Sequence, residues 1–231
     1  MIDLENQREL ESDEAKLLWE MNDNKKKPAK LLPGEELTRL SYDRIASMWE
    51  AGHQKPFWQP EFAKLKKLLL AGRVIEVGCG AGRDAEELVK LGYDYLGTDI
   101  SAAMVAEASR RNPEGKFKKL SVYEIPSDHS FDAFWCAATL IHVPKARTDE
   151  AIKALKKSIR PEGFSFISVK EGDGEGEEKR EELDDRSFLF VYHQPAQFEQ
   201  ILKDNGFRIL SFRRQYVSER TTWLIYLLQS R

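Results

Sequence analysis

Apolar and polar positions along this 231-residue chain follow two rhythms. From Arg73 onward, short runs rich in β-branched and aromatic residues alternate with amphipathic stretches of helical period, which predicts a parallel sheet with helices on both faces. Strands are expected over 73–77, 93–98, 116–121, 131–137 and 163–169, with helices over 82–91, 101–110 and 147–159. "FLFVY" reads as a strand leading into a helix in "PAQFEQILKDNG", with Gly206 as its C-terminal cap. Two β-rich runs, 207–217 and 221–229, close the chain as an antiparallel pair. Between the two halves lies "GDGEGEEKREELDD" (172–185), which carries little apolar area to offset the entropy of ordering and is expected to be a mobile loop.

Ahead of Arg73 the pattern is helical. Leu4, Leu10, Leu17, Leu18 and Met21 predict a helix over 3–23, and "NDNKKKPAKLLPGEE" reads as a linker. A second helix is expected from Glu35 to about Gly52, and a third over 59–72 with Pro60 near its start and Gly72 at its end. Residues 1–72 thus form a helical extension and 73–231 a core domain. Trp49, Phe57 and Trp58 are read as packing between the two, with a pocket roof as their other possible role.

Composition narrows the class. With 41% hydrophobic and 32% charged residues and a net charge of −3, the chain reads as a globular protein without the basic excess of a nucleic-acid binder. The acidic N-terminus is the opposite of a secretory signal. The longest apolar run, "FDAFWCAATLIHV", is short and contains Asp132, so it reads as a buried strand and not a membrane span. Cys79 and Cys136 cannot build a disulfide framework, and no Cys/His pair has zinc-ligand spacing. A reducing cytoplasm and a metal-free protein are the expectations.

The stretch that carries chemistry is "VIEVGCGAGRDAEEL" (74–88). A strand runs straight into Gly78, Cys79, Gly80, Ala81 and Gly82, and a helix follows. In an open parallel sheet this first turn lies at the carboxyl edge, where ligands bind. A dinucleotide fingerprint would place its third glycine where Arg83 stands, and no Lys-Ser/Thr pair completes a phosphate loop. The second strand ends on Asp99, an acid positioned to accept hydrogen bonds from ribose hydroxyls. Asp99 or Ser101 is also suited to cap the following helix.

With "LGTDISAAM", "FDAFWCAATLIHVP" and "LKKSIRPEGFSFISV", this stretch resembles the successive motifs of the class I S-adenosylmethionine-dependent methyltransferases, over about residues 40–215. The resemblance implies a Rossmann-like, doubly wound α/β fold. Its seven-stranded sheet would be mostly parallel with an antiparallel last strand, under an N-terminal helical lid. It implies S-adenosylmethionine as cofactor, with Gly78, Cys79, Gly80 and Gly82 forming the turn beneath it and Glu76 binding the methionine amino group. Asp99 would hold the ribose and Ile100 would lie against adenine. Ser121 and Val122 stand where the family commonly places an acid on the adenine amino group, and "SYDRIASMW" makes Tyr42 a lid contact. Ordinary helix packing is the other reading of Tyr42.

Methyl transfer to a nucleophile from a sulfonium releases a neutral thioether, so positioning dominates and a base is needed only where the nucleophile carries a proton. His142, after the fourth strand, is the candidate base or substrate orienter, set against a purely structural role next to the following helix. Cys79 and Cys136 read as buried fillers, and His53, His129 and His193 have no ligand spacing. The expected activity is methyl transfer to a small-molecule acceptor. An RNA-modifying methyltransferase, a non-catalytic S-adenosylmethionine-binding regulator and an NAD oxidoreductase stay open at this point, the last disfavoured by Arg83. The acceptor and the oligomeric state are not encoded in any motif.

Overall fold

The computed structural model describes residues 28–49 and 57–231. Two units divide the chain, Met1–Lys30 and Leu31–Arg231, and every element below belongs to the second. The helix expected over 3–23, and His53, lie outside the described residues. Helix α1 (Pro33–Ile45) begins with proline at its first position, and the Leu32 amide donates to the Glu35 carboxylate at 2.8 Å. Helix α2 (Gln59–Leu68) follows.

The alternating part runs β1 (Arg73–Val77), α3 (Ala85–Lys90), β2 (Asp94–Asp99), α4 (Ala102–Arg111), β3 (Lys116–Lys119), β4 (Phe131–Ala137), α5 (Lys145–Ser158) and β5 (Ile159–Glu171). After β6 (Glu175–Arg180) and β7 (Arg186–His193) come α6 (Pro195–Asp204), β8 (Phe207–Ser218) and β9 (Thr221–Ser230). Parallel strands lie in the order β3-β2-β1-β4-β5, and β9 pairs antiparallel with β5 and with β8. The chain winds from β1 toward one edge and then restarts at β4 toward the other. The β1–β4 boundary is therefore the topological switch point, where a crevice opens at the strands' carboxyl ends.

Side-chain alternation builds a core on each face of this sheet. Ile75, Phe134, Cys136, Ile167 and Val169 point into one cluster, and Val74, Ala133, Trp135 and Phe166 into the other. In the second cluster Phe62 of α2 stacks on Trp135 at 4.3 Å, and Trp135 stacks on Phe166 at 3.8 Å, which fixes α2 to the sheet.

The sheet has nine strands, not seven. Seven of them, with β9 antiparallel, match the expected arrangement. The other two form a hairpin that corrects the reading of 172–185 as a mobile loop: β6 pairs with β7 over Glu175–Arg180. Its acids gave the segment the composition of a loop because β6 is an exposed edge strand, and charge on an edge strand discourages further pairing. The apolar half of the hairpin is β7, whose Phe188, Leu189, Phe190 and Val191 are buried.

Candidate active site

A cavity of about 460 Å³ opens at the switch point, within the usual range for a small-ligand site. One wall is the turn after β1. Gly78, Gly80 and Gly82 all have positive φ, yet each excludes a side chain for a different reason. A Cβ on Gly78 would lie 2.1 Å from Thr139 Oγ1, and that hydroxyl donates to the Val77 carbonyl at 2.7 Å. A Cβ on Gly82 would meet Asn112 Nδ2 at 2.4 Å and the α4 backbone at Ala108. Only Gly80 faces open space, its nearest neighbour being Trp49 Nε1 at 3.9 Å. This corrects the expectation for Gly82, which is absent from the cavity lining and serves close packing of the turn against α4.

The remaining expected residues, Tyr42, Glu76, Gly78, Cys79, Gly80, Asp99, Ile100, Ser121, Val122 and His142, all line this one cavity. Asp99 accepts from the Gly80 amide at 2.9 Å and from the Ser101 amide at 2.8 Å, tying the ends of β1 and β2 together. Helix α4 is capped by Ser101, whose hydroxyl accepts from the Met104 amide at 3.1 Å. Burial pushes the Asp99 carboxyl up to about 6, against the pull of its backbone donors. Glu76 accepts from the Tyr95 hydroxyl at 2.5 Å. Its pKa is raised by burial and by the neighbouring Asp84. Arg83 pairs with Asp84 at 2.7 Å and acts on Glu76 only at a distance, so neither Glu76 nor Asp99 has an ion pair among the described residues. Ser121 presents a buried hydroxyl with no hydrogen-bond partner among the described residues.

The opposite wall comes from β4, β5 and the β6–β7 hairpin. Ala138 takes a left-handed conformation (φ 56°), held by the Ser168 hydroxyl accepting its amide at 2.9 Å. The turn brings His142 against Tyr42. His142 Nδ1 lies 2.6 Å from the Leu189 carbonyl, which can only accept, so that nitrogen carries the proton. Nε2 then accepts from the Tyr42 hydroxyl at 2.9 Å. Burial lowers the His142 pKa to about 4, so the ring is neutral and a weak base. In this arrangement both ring nitrogens are engaged, and His142 orients Tyr42.

Trp49, Phe57 and Trp58 all reach the cavity, and Trp58 is at the same time fully buried against Phe166 and Trp223. Packing and roofing thus coexist in that segment. Burial raises the thiol of Cys79 and pushes that of Cys136 up to about 12, which makes neither a nucleophile. His129 bonds the Ile159 carbonyl and His193 packs on Phe198. Among the described residues no group of three His, Cys, Asp or Glu side chains is arranged to hold a metal. Lining residues that sequence reasoning missed include Thr139, Lys170, Arg180 and Glu182. Thr139 stands in the quoted fourth-strand motif. The others carry no local signal, because pairing of distant segments brings them to the cavity.

Residues 74–163 match the model of the methyltransferase domain family. The chain is 32% identical over 143 residues to the ubiquinone biosynthesis O-methyltransferase of Xanthomonas oryzae pv. oryzae, covering 55% of this chain and 59% of that protein. It therefore spans about three fifths of the length of the curated relatives it matches. Among solved structures, the 1,6-didemethyltoxoflavin-N1-methyltransferase of Burkholderia thailandensis superposes with a TM-score of 0.65 at 19% identity, over 89% of this chain and 93% of that one. An S-adenosylmethionine-dependent methyltransferase from Methanosarcina mazei gives 0.63 at 18% identity, over 69% and 92%. Residues 74–163 thus carry a methyltransferase domain, and the chain has the fold seen in solved S-adenosylmethionine-dependent methyltransferases.

Proposed function

We propose that the protein transfers a methyl group from S-adenosylmethionine to a small-molecule acceptor. The observation that carries this is the acid-lined end of the cavity: Glu76 and Asp99 face it with no ion pair among the described residues, beside the side-chain-free surface at Gly80. A carboxylate whose pKa is raised by burial is stabilised by any cation that arrives, and the cofactor carries an ammonium and a sulfonium. Its ribose hydroxyls suit Asp99, and the unpartnered Ser121 hydroxyl suits the polar edge of its base. The bound cofactor supplies an electrophilic methyl group on sulfur.

The chain's own contribution is binding, orientation and exclusion of water. Tyr42, held by His142, and Trp49 close the cavity from the N-terminal side, so α1 and the residues just after it, through Trp49, serve as the lid. Near-attack positioning in such a site supplies up to about 7–11 kcal/mol of the barrier reduction. With His142 neutral, Tyr42 stays a phenol that orients the acceptor, and the site favours acceptors that need no strong base. The modest size of the cavity, about 460 Å³, together with relatives named as O-methyltransferases of ubiquinone biosynthesis, favours a small acceptor over RNA. Two unpaired, buried cysteines agree with a cytoplasmic setting. Calorimetry with S-adenosylhomocysteine and with NAD tests the cofactor: binding of the first alone is expected, and binding of NAD alone overturns the reading. A metabolite panel with labelled cofactor then identifies the acceptor.

A further inference from the structure

Lys170, the penultimate residue of β5, is only 6% exposed and lines the cavity. It is locked in place on both sides, paired with Tyr192 of β7 and with Trp223 of β9. Its ammonium sits 4.2 Å from the centre of the Phe190 ring and has no hydrogen bond or ion pair among the described residues. The nearby acids are already engaged. Glu178 pairs with Arg180 at 3.0 Å and accepts from the Tyr192 hydroxyl, Glu182 lies 3.8 Å from Arg180, and Glu171 pairs with Arg214. Arg180 shares the Phe190 ring, 4.5 Å from its centre. Glu178 and Glu182 act on Lys170 only at a distance, and a buried cation beside a second cation with no direct ion pair among the described residues destabilises the fold unless something compensates it. Burial and Arg180 lower the Lys170 pKa only to about 8, so the ammonium form still predominates at neutral pH.

We propose that Lys170 is the anchor of an anion subsite, and that the acceptor is a small planar acid whose carboxylate it binds. Planarity follows from the neighbouring walls: Phe188, Phe190 and Tyr42 present ring faces and edges to this end of the cavity. Charge divides the site into two ends. The acidic end at Glu76 and Asp99 repels a carboxylate and the basic end at Lys170 attracts it, so the acceptor enters in one orientation. The subsite deepens the methyltransferase reading and rests on it for the word acceptor, whereas anion binding by Lys170 stands on its own.

The test uses the full chain, with and without S-adenosylhomocysteine. Benzoate, salicylate, 4-hydroxybenzoate and cinnamate are titrated by calorimetry beside their matched amides. At least one acid is expected to bind about ten- to hundredfold more tightly than its amide. Lys170→Met is expected to erase that preference, leave S-adenosylhomocysteine affinity unchanged, and raise the ligand-free melting temperature by about 2–4 °C through removal of an uncompensated charge. Lys170→Arg keeps the acid preference and guards against misreading a folding defect. Equal binding of acids and amides, no binding of any acid, or an acid preference that survives in Lys170→Met overturns the proposal. Failure of S-adenosylhomocysteine to bind the unaltered protein overturns the cofactor reading instead, and the comparison of acids with amides still decides the subsite.

Discussion

The two ends of the cavity are built in opposite ways. At the β1–β2 end the surface is largely backbone: Gly80 without a side chain, amides tied to Asp99, and Glu76 and Asp99 with no ion pair among the described residues. At the β5–β7 end it is made of side chains, basic and aromatic, contributed by Tyr42, His142, Lys170, Arg180 and Phe190. A backbone surface suits one invariant ligand, because its geometry is fixed by a turn of a few residues. A side-chain surface can be re-specified residue by residue, which is what acceptor choice requires. The cofactor end and the acceptor end should therefore fail independently when altered.

The largest expected effect breaks the first end alone. Gly80→Val should weaken S-adenosylhomocysteine binding by about a hundredfold or more, since the new side chain enters the cavity and a β-branched residue is strained at positive φ, at about 1–3 kcal/mol. Calorimetry beside thermal melting checks it. Gly82→Ala should reverse the pattern. Its Cβ would strike Asn112 and α4, so melting temperature falls while the folded fraction keeps its affinity. If Gly82→Ala abolishes binding in protein that is still folded, the division between cavity-facing and packing glycines is wrong.

Next comes a pH effect at the other end. The His142 pKa falls on folding from 6.5 to about 4, so between those values the unfolded chain binds a proton that the folded chain refuses. Stability is therefore lost as pH drops through 6.5 toward 4, by about 3 kcal/mol from this group. His193, also lowered to about 4, adds a similar loss of its own. Denaturant titrations at a series of pH values should show a shallower acid slope in His142→Asn, with S-adenosylhomocysteine affinity kept. An unchanged slope would remove the buried neutral imidazole from the account.

Asp99→Asn sharpens the comparison further. Oδ2 serves the Gly80 amide and Oδ1 the Ser101 amide, so an asparagine, with one oxygen, loses one of the two bonds, and the charge toward the ribose is lost. Affinity for S-adenosylhomocysteine should drop about ten- to hundredfold, with a measurable loss of melting temperature. A drop in stability without a drop in affinity would make Asp99 a structural tie only.

The smallest effect is expected where the two ends are least coupled. Replacing the β6 segment 173–184 with a short glycine-serine linker removes Arg180 and Glu182 from the acceptor end. S-adenosylhomocysteine affinity should stay within about twofold, because no hydrogen bond ties that segment to the glycine turn or to Asp99. A collapse of affinity would show that the hairpin supports the cofactor end as well.

The difference between the ends also explains what was legible in the chain. Gly80, Glu76 and Asp99 stand at strand ends, in a local order of strand, turn and helix, so their convergence follows from the topology that alternation predicts. Gly82 shares their motif, and only the packing of α4 shows that it faces away from the cavity. The hairpin was misread because its outer strand is solvated and acidic, a composition that loops and edge strands share. Its β order comes from the buried apolar partner β7, a tertiary fact.

What the sequence by itself determined is the parallel α/β core, the antiparallel closing pair and the position of the glycine turn. Those are set by hydrophobic period and by glycine's freedom at positive φ, both properties of neighbouring residues. Only the tertiary structure decided the acceptor end. Lys170 meets Arg180 and Phe190 because β7 adds to the last residues of β5, and His142 loses its basicity because Tyr42, Phe188 and Phe190 pack around its ring and bury it. Charge compensation and proton affinity depend on distances between segments remote along the chain, and no local pattern of residues encodes those distances.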